Sequence, residues 1–175
     1  MITVPPFVEN YLNTNGYLNV PFTKVIAAEN YPSGYGHLNT YFYRCLAGVV
    51  TAKPPSFFSE VMSALDIPGA TEMDQMVEFL DRGYRMIDCF DPAFTRYTTA
   101  DILSDLMILN AGKIVFLTQN NKNTILDLAS NPGIAQKIVP DFTRGEVWHT
   151  FPARSSANIN KFNNSMRFVV RYGLF

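Results

Sequence analysis

The feature that most constrains this chain is the alternation of short apolar runs with longer stretches of helical periodicity. Four runs, Lys24–Ala28, Tyr84–Asp88, Lys113–Thr118 and Gly145–Phe151, are each followed by a polar loop and then by a helix-like pattern. A run of this length without polar alternation is what a strand buried on both faces requires. Strands separated by helices of ten or more residues pair in parallel through crossovers, because a tight turn can join only antiparallel neighbours. The sequence therefore predicts an α/β fold: a three-layer α/β/α sandwich with a central, mainly parallel four-stranded sheet.

The helices carry their own punctuation. Met73, Met76, Val77 and Leu80 fall at i, i+3, i+4 and i+7 and share one face. Thr71 stands where that helix begins and Gly83 where a left-handed C-terminal residue is wanted. Ser56 is placed to cap a helix over Phe57–Leu65, which Asp66-Ile-Pro-Gly69 ends. Thr98 or Thr99 can cap the next, whose inward stripe is Ile102, Leu103, Leu106 and Leu109, with Gly112 after it. A helix is expected from about Leu38, another from the Gln119–Asn123 loop to about Leu128, and a last one from about Ala157 to Tyr172.

The chain has 175 residues, 47% of them apolar and 17% charged, which suits a single domain over residues 1–175 with one core. No apolar run approaches the roughly 20 residues that span a bilayer, and Met1-Ile-Thr-Val-Pro-Pro lacks a basic, then apolar leader, so a cytoplasmic setting is expected. Cys45 and Cys89 sit inside apolar segments without metal-ligand spacing and read as free thiols. With only His37 and His149 and no clustered Cys or carboxylates, neither a metal site nor a cofactor is expected. His149, between Trp148 and Thr150, reads as a packing residue, while His37 in a glycine-rich loop is better placed to touch a ligand. The net charge of −1 is uneven: residues 137–175 carry +4 and the remainder −5. A basic tail suits an anionic partner such as nucleic acid, although a solvated helix face carries charge in the same way.

In a parallel α/β sheet, ligands bind outside the carboxyl ends of the strands. That directs attention to the loops after Ala28, Ile87, Leu117 and Phe151. The last contains Arg154, Ser155, Ser156 and Asn158 at the start of a helix, where unpaired backbone N–H groups face outward and favour an anion. The first, Glu29-Asn-Tyr-Pro-Ser-Gly-Tyr-Gly36, is followed by Tyr41, Phe42 and Tyr43, an aromatic density able to stack on a planar base or to anchor the next helix. Asp88 ends a strand at the same edge, where it can face a ligand or cap the turn at Asp91-Pro92. The P-loop, the dinucleotide-binding Gly-x-Gly-x-x-Gly and the Gly-x-Ser-x-Gly nucleophile elbow are all absent.

Several of these segments fall into a familiar order. The strand Lys24–Ala28 leads to Tyr31-Pro-Ser33, then Gly36, then Asn39-Thr-Tyr-Phe-Tyr-Arg-Cys-Leu46; Gly83-Tyr-Arg-Met-Ile-Asp-Cys89 follows, then Lys113–Thr118, then Phe151-Pro-Ala-Arg-Ser-Ser-Ala-Asn158. Over residues 22–172 the series resembles the motifs of the uracil-DNA glycosylase superfamily, closest to its hypoxanthine and mismatch-specific branches. The resemblance implies a monomeric DNA glycosylase of base excision repair that hydrolyses the N-glycosidic bond of a deaminated or damaged base, uracil or hypoxanthine, flipped out of DNA. It implies that Asn39, reached with a one-residue insertion, positions the water, and that Asn30 or the backbone around Tyr31-Pro32 reads the base edge. Phe42 or Tyr31 would stack on the base, and Asp88 would belong to the substrate-binding edge. Ser155, Ser156 and Asn158 would grip the flanking phosphates while Arg154 borders the DNA groove. Tyr31 stands where some branches carry a water-activating Asp or Asn, and Phe151 where others carry a His. These departures define the alternative, a catalytically inactive member of the fold that binds nucleic acid or another partner. A small-molecule-binding domain of flavodoxin-like kind is a third reading, and it leaves the last motif unaccounted for.

Overall fold

The computed structural model describes residues 1–29, 41–49, 53–153 and 155–175. In chain order the elements are α1 (Pro6–Thr14), β1 (Thr23–Ala28), α2 (Ser56–Ala64), α3 (Glu72–Asp81), β2 (Tyr84–Asp88), α4 (Thr99–Ile108), β3 (Ala111–Thr118), α5 (Lys122–Ala129), β4 (His149–Thr150) and α6 (Ser156–Arg171). Tyr41 and Phe42 are helical, and a short 3₁₀ turn follows over Arg44–Ala47.

The four strands pair in the order β2-β1-β3-β4, every pair parallel. This is the expected α/β/α architecture. The chain runs outward from β1 to β2, then crosses back over β1 to β3 and on to β4. With right-handed crossovers, that reversal puts α2 and α3 on one face and α4 and α5 on the other. The last helix, α6, returns to pack on α2. Strands β1 to β3 are nearly all buried, which explains their apolar runs, and the buried apolar side chains form one continuous cluster. Among the described residues no helix is long and apolar enough to cross a membrane.

Local chemistry sets most boundaries. Thr71 and Asp74 form a reciprocal capping box at the start of α3, and Gly83 beyond its end adopts φ +85°. Thr98 caps α4 by accepting the Asp101 N–H at 3.1 Å. Helix α2 differs from expectation: its capping position is Pro55, with no side-chain cap, and Ser56 is already its first helical residue. Proline's fixed φ and missing N–H are compatible with a helix start, although Pro55 gives the first turn no side-chain acceptor. The residue that ends α4 is not Gly112 but Asn110, at φ +52°, and β3 begins at Ala111. Gly112 is instead a strand residue overlain by Phe22; a Cβ there would stand 1.8 Å from the Phe22 ring.

Two elements depart further. Helix α1 lies in a segment for which the sequence suggested only the absence of a leader; Pro6 opens it and Val8 and Leu12, one turn apart, face the core. Strand β4 is reduced from the expected Gly145–Phe151 to His149–Thr150. The preceding residues are drawn into a turn: Asp141 accepts the Thr143 N–H at 2.9 Å and pairs with Arg144 at 2.6 Å, and Gly145 sits at φ +68°. That leaves β4 with only Leu117 and Thr118 as partners on β3.

Candidate functional site

The strand order reverses between β1 and β3, which makes the carboxyl ends of these strands the place where a ligand is expected. That edge is organised by Glu29, the first residue after β1. The Glu29 N–H donates to the Leu117 carbonyl at 2.8 Å. The Glu29 carbonyl accepts two hydrogen bonds, from Thr118 Oγ1 at 2.9 Å and Asn121 Nδ2 at 3.1 Å. Thr118 Oγ1 in turn accepts the Asn121 N–H at 2.9 Å, which closes the cluster. The Glu29 side chain is completely buried, and Arg96 meets both its oxygens, Nε on Oε1 and Nη2 on Oε2 at 3.2 Å.

Arg96 arrives on the loop that follows β2. Cys89 N–H extends the sheet by donating to the Ala28 carbonyl at 3.0 Å, and Tyr97 N–H returns to the Cys89 carbonyl at 2.9 Å. Between them Phe90 and Arg96 form an antiparallel bridge, while Asp91 closes the turn by accepting the Thr95 N–H at 2.9 Å on Oδ1. This small hairpin folds across the end of β1 and delivers the guanidinium to Glu29. Burial, reinforced by the adjacent Glu29 carboxylate, pushes the Cys89 thiol well above its ordinary pKa, so it is a neutral, inert thiol.

Asp88 is also buried at this edge. Its Oδ1 accepts the Phe90 N–H at 2.9 Å and its N–H donates to the Thr3 carbonyl at 3.1 Å. The turn it shapes is the one immediately after β2. Phe42, expected to stack on a base, belongs to the core instead. It is 0% exposed and packs against Tyr43, Phe57, Phe58 and Phe79 at centroid distances of 5.1 to 5.9 Å. A ring enclosed by four others has no face left to stack on a base, so Phe42 anchors the core. Beside it, Tyr43 OH accepts the Met86 N–H at 2.7 Å and donates to the Met86 carbonyl at 3.0 Å.

At the other end of the edge, Phe151 stacks on Phe57 with centroids 5.0 Å apart and planes 9° apart, and Pro152 is buried. These contacts fix the turn into α6. Ser155 is the N-cap, its Oγ accepting the Asn158 N–H at 3.1 Å. Ser155 and Ser156 are exposed, Asn158 is half-buried, and the first turn of α6 carries no acidic residue. This is a helix start open to an anion. Asn30, Tyr31, Pro32, His37, Asn39 and Arg154 lie outside the described residues.

His149 behaves as a core residue. It is fully buried, Nε2 lies 3.0 Å from the Val139 carbonyl and Nδ1 2.8 Å from Ser165 Oγ. A carbonyl can only accept, so Nε2 carries the proton and Nδ1 accepts the serine hydroxyl. Burial lowers its pKa to about 4, so the ring is neutral near pH 7. Among the described residues no cluster of His, Cys, Asp and Glu could hold a metal ion.

The edge thus joins the exit from β1, the Arg96 hairpin, the Thr118–Asn121 loop and the start of α6. The Glu29–Arg96 pair is the part that sequence reasoning missed. In the sequence Glu29 is only the first residue of the loop after the first strand, and its partner is 67 positions away on a loop without a motif. Glu29 and Arg96 pair with each other and Asp88 accepts a backbone N–H, while Ser155 and Ser156 at the start of α6 are exposed. No protein-family model, curated protein or solved structure matches this chain.

Proposed function

We propose that the protein is a DNA glycosylase of the uracil-DNA glycosylase kind, hydrolysing the N-glycosidic bond of uracil or hypoxanthine in a nucleotide flipped out of DNA. The observation that supports this reading best is convergence at the carboxyl edge. The segments bearing the first and last motifs of the resemblance leave β1 and β4, strands of one parallel sheet, on the same side. A shared architecture does not by itself specify chemistry, so the weight falls on what those segments carry.

As the bond breaks, the sugar gains oxocarbenium character and the base departs as an anion. Rate enhancement then requires a water held beneath the sugar and hydrogen-bond donors aimed at the leaving base. Asn39 takes the first role. Asn30 and the Tyr31-Pro32 backbone take the second, and Tyr31 supplies the stacking surface that Phe42 does not. Ser156, Asn158 and the N–H groups opening α6 hold the flanking phosphates, with Arg154 bordering the groove. Ser155 contributes mainly by capping that helix.

Incubation with oligonucleotides containing uracil, hypoxanthine or xanthine, followed by alkaline cleavage at abasic sites, tests the activity. Asn39→Ala should abolish base release, and a variant as fast as the wild type removes this assignment. One observation favours the non-catalytic alternative: Phe151 occupies the position where some branches place a histidine, and its ring is committed to Phe57. Binding without cleavage on every substrate would establish that alternative.

A further inference from the structure

A cavity of about 160 Å³ lies at the amino end of β3, the opposite end of the strand from the edge described above. Its apolar walls are Leu103, Leu106 and Met107 of α4, Ala111 at the first position of β3, and Ile134 from the turn after α5. The three residues of α4 fall at i, i+3 and i+4 and so line it from one helix face. The turn on the other side is held by its own backbone. The Asn131 carbonyl accepts the Ile134 N–H at 3.2 Å and the Ala135 N–H at 3.0 Å, and the Val139 N–H donates to the Ile114 carbonyl of β3 at 2.8 Å. Both walls are fixed without an occupant, as in a preformed ligand pocket.

Two polar side chains complete the lining, Asn131 and Lys137. Asn131 Oδ1 accepts the Gly133 N–H at 2.8 Å, which orients the amide and leaves its NH2 as the spare group. Among the described residues neither that NH2 nor the Lys137 ammonium has a hydrogen-bond or carboxylate partner. Leu106 and Ile134 are buried, whereas Met107 is 78% exposed and forms the rim, where a flexible thioether adapts to what enters. An apolar chamber whose spare side-chain groups are both donors, one of them cationic, is complementary to a molecule with an apolar body and an anionic head. Volume sets the body: since an apolar cavity of about 150 Å³ takes a benzene ring, one such ring or a chain of about five or six carbons fills this one.

We propose that this cavity binds a small organic carboxylate, with its ring or short chain among Leu103, Leu106, Ala111 and Ile134 and its carboxylate on Lys137 and Asn131. The site is separate from the carboxyl edge of the sheet, so either can exist without the other.

The test titrates hexanoate and benzoate into the full chain while backbone amide spectra are recorded, with hexanol, hexylamine and acetate as controls. Both carboxylates should shift the amides of Leu106, Ala111 and Ile134 saturably, with a Kd of about 0.1 to 1 mM for ligands of about eight or nine heavy atoms. Acetate has no body to bury and hexylamine presents a cation to Lys137, so neither should bind. Hexanol should bind about fivefold more weakly than hexanoate, and Lys137→Gln should weaken hexanoate by about the same factor while leaving hexanol unchanged. Leu103→Trp, which fills the cavity from the half-buried side of α4, should abolish the shifts; if it does not fold, Met107→Trp at the rim takes its place. No saturable shift at about 20 mM of either carboxylate overturns the proposal, as does an equal response to acetate or a hexanoate affinity unchanged by Lys137→Gln. Undiminished shifts in the folded, filled variant overturn it as well.

Discussion

Acidification should destabilise this fold through one histidine more than through any surface group. His149 is completely buried and neutral, its two nitrogens spoken for by Val139 and Ser165, and its folded-state pKa is lowered from 6.5 to about 4. Burial is the dominant cause; Arg144 acts in the same direction, while the hydrogen bond to Val139 and the charge of Asp141 oppose it. Between pH 6.5 and 4 the unfolded chain binds a proton at this ring and the folded chain does not. Stability therefore rises with pH through that window and is lost as pH falls through it. A shift of that size amounts to about 2 to 3 kcal/mol lost by pH 4.5, a large share of the stability of a domain this size. Asp141, whose carboxyl Thr143 and Arg144 hold below its usual value against burial, loses its contribution only at lower pH, so it does not mask the effect. Urea unfolding of wild type and His149→Gln from pH 7.5 to 4.5 isolates the term. The wild-type curve should fall more steeply, and the difference between the two curves should shrink on acidification. Parallel curves would show that His149 is not buried neutral. The consequence reaches the site, because His149 lies in β4, the strand that leads to the turn before α6.

Other outcomes follow from single contacts. Ser155→Ala should cost about 1 kcal/mol by removing the cap of α6, whereas Ser155→Asp should keep that stability and weaken DNA binding by placing a carboxylate among the phosphates; thermal melts and anisotropy titrations separate the two. Phe42→Ala should cost about 3 to 5 kcal/mol in urea unfolding, since it opens a cavity among four rings; a stable variant with weakened DNA binding would restore the base-stacking role. Gly112→Ala should cost about 1 kcal/mol by displacing the half-exposed Phe22 ring, and the cost should vanish in a Phe22→Ala background.

What was legible in the sequence followed from local chemistry. Strand β2 occupies the expected residues because Gly83 ends the preceding helix and all five strand positions are buried. Helix α3 begins where Thr71 and Asp74 can cap each other. Legibility failed where distant contacts override local pattern. The apolar character of Val147 and Trp148 suggested a longer β4, but the side-chain bonds of Asp141 hold the residues before them in a turn. Helix α1 was hidden because the Pro5-Pro6 pair that opens it reads equally well as a break. In the candidate site, the start of α6 was visible as a cap beside polar residues. The Glu29–Arg96 pair was not, because nothing in a sequence couples two residues that meet only after β1 and β2 have paired. Phe42 reads as a stacking candidate because aromatic clustering along the chain looks the same whether the rings face a ligand or one another.

The most direct test of the functional account is base release from a duplex carrying one uracil or hypoxanthine, measured by alkaline strand cleavage with purified wild type and Asn39→Ala side by side. Wild type should cleave at the lesion and the variant should not. Wild type that leaves every lesion intact, or an Asn39→Ala protein that cleaves at the wild-type rate, would contradict it.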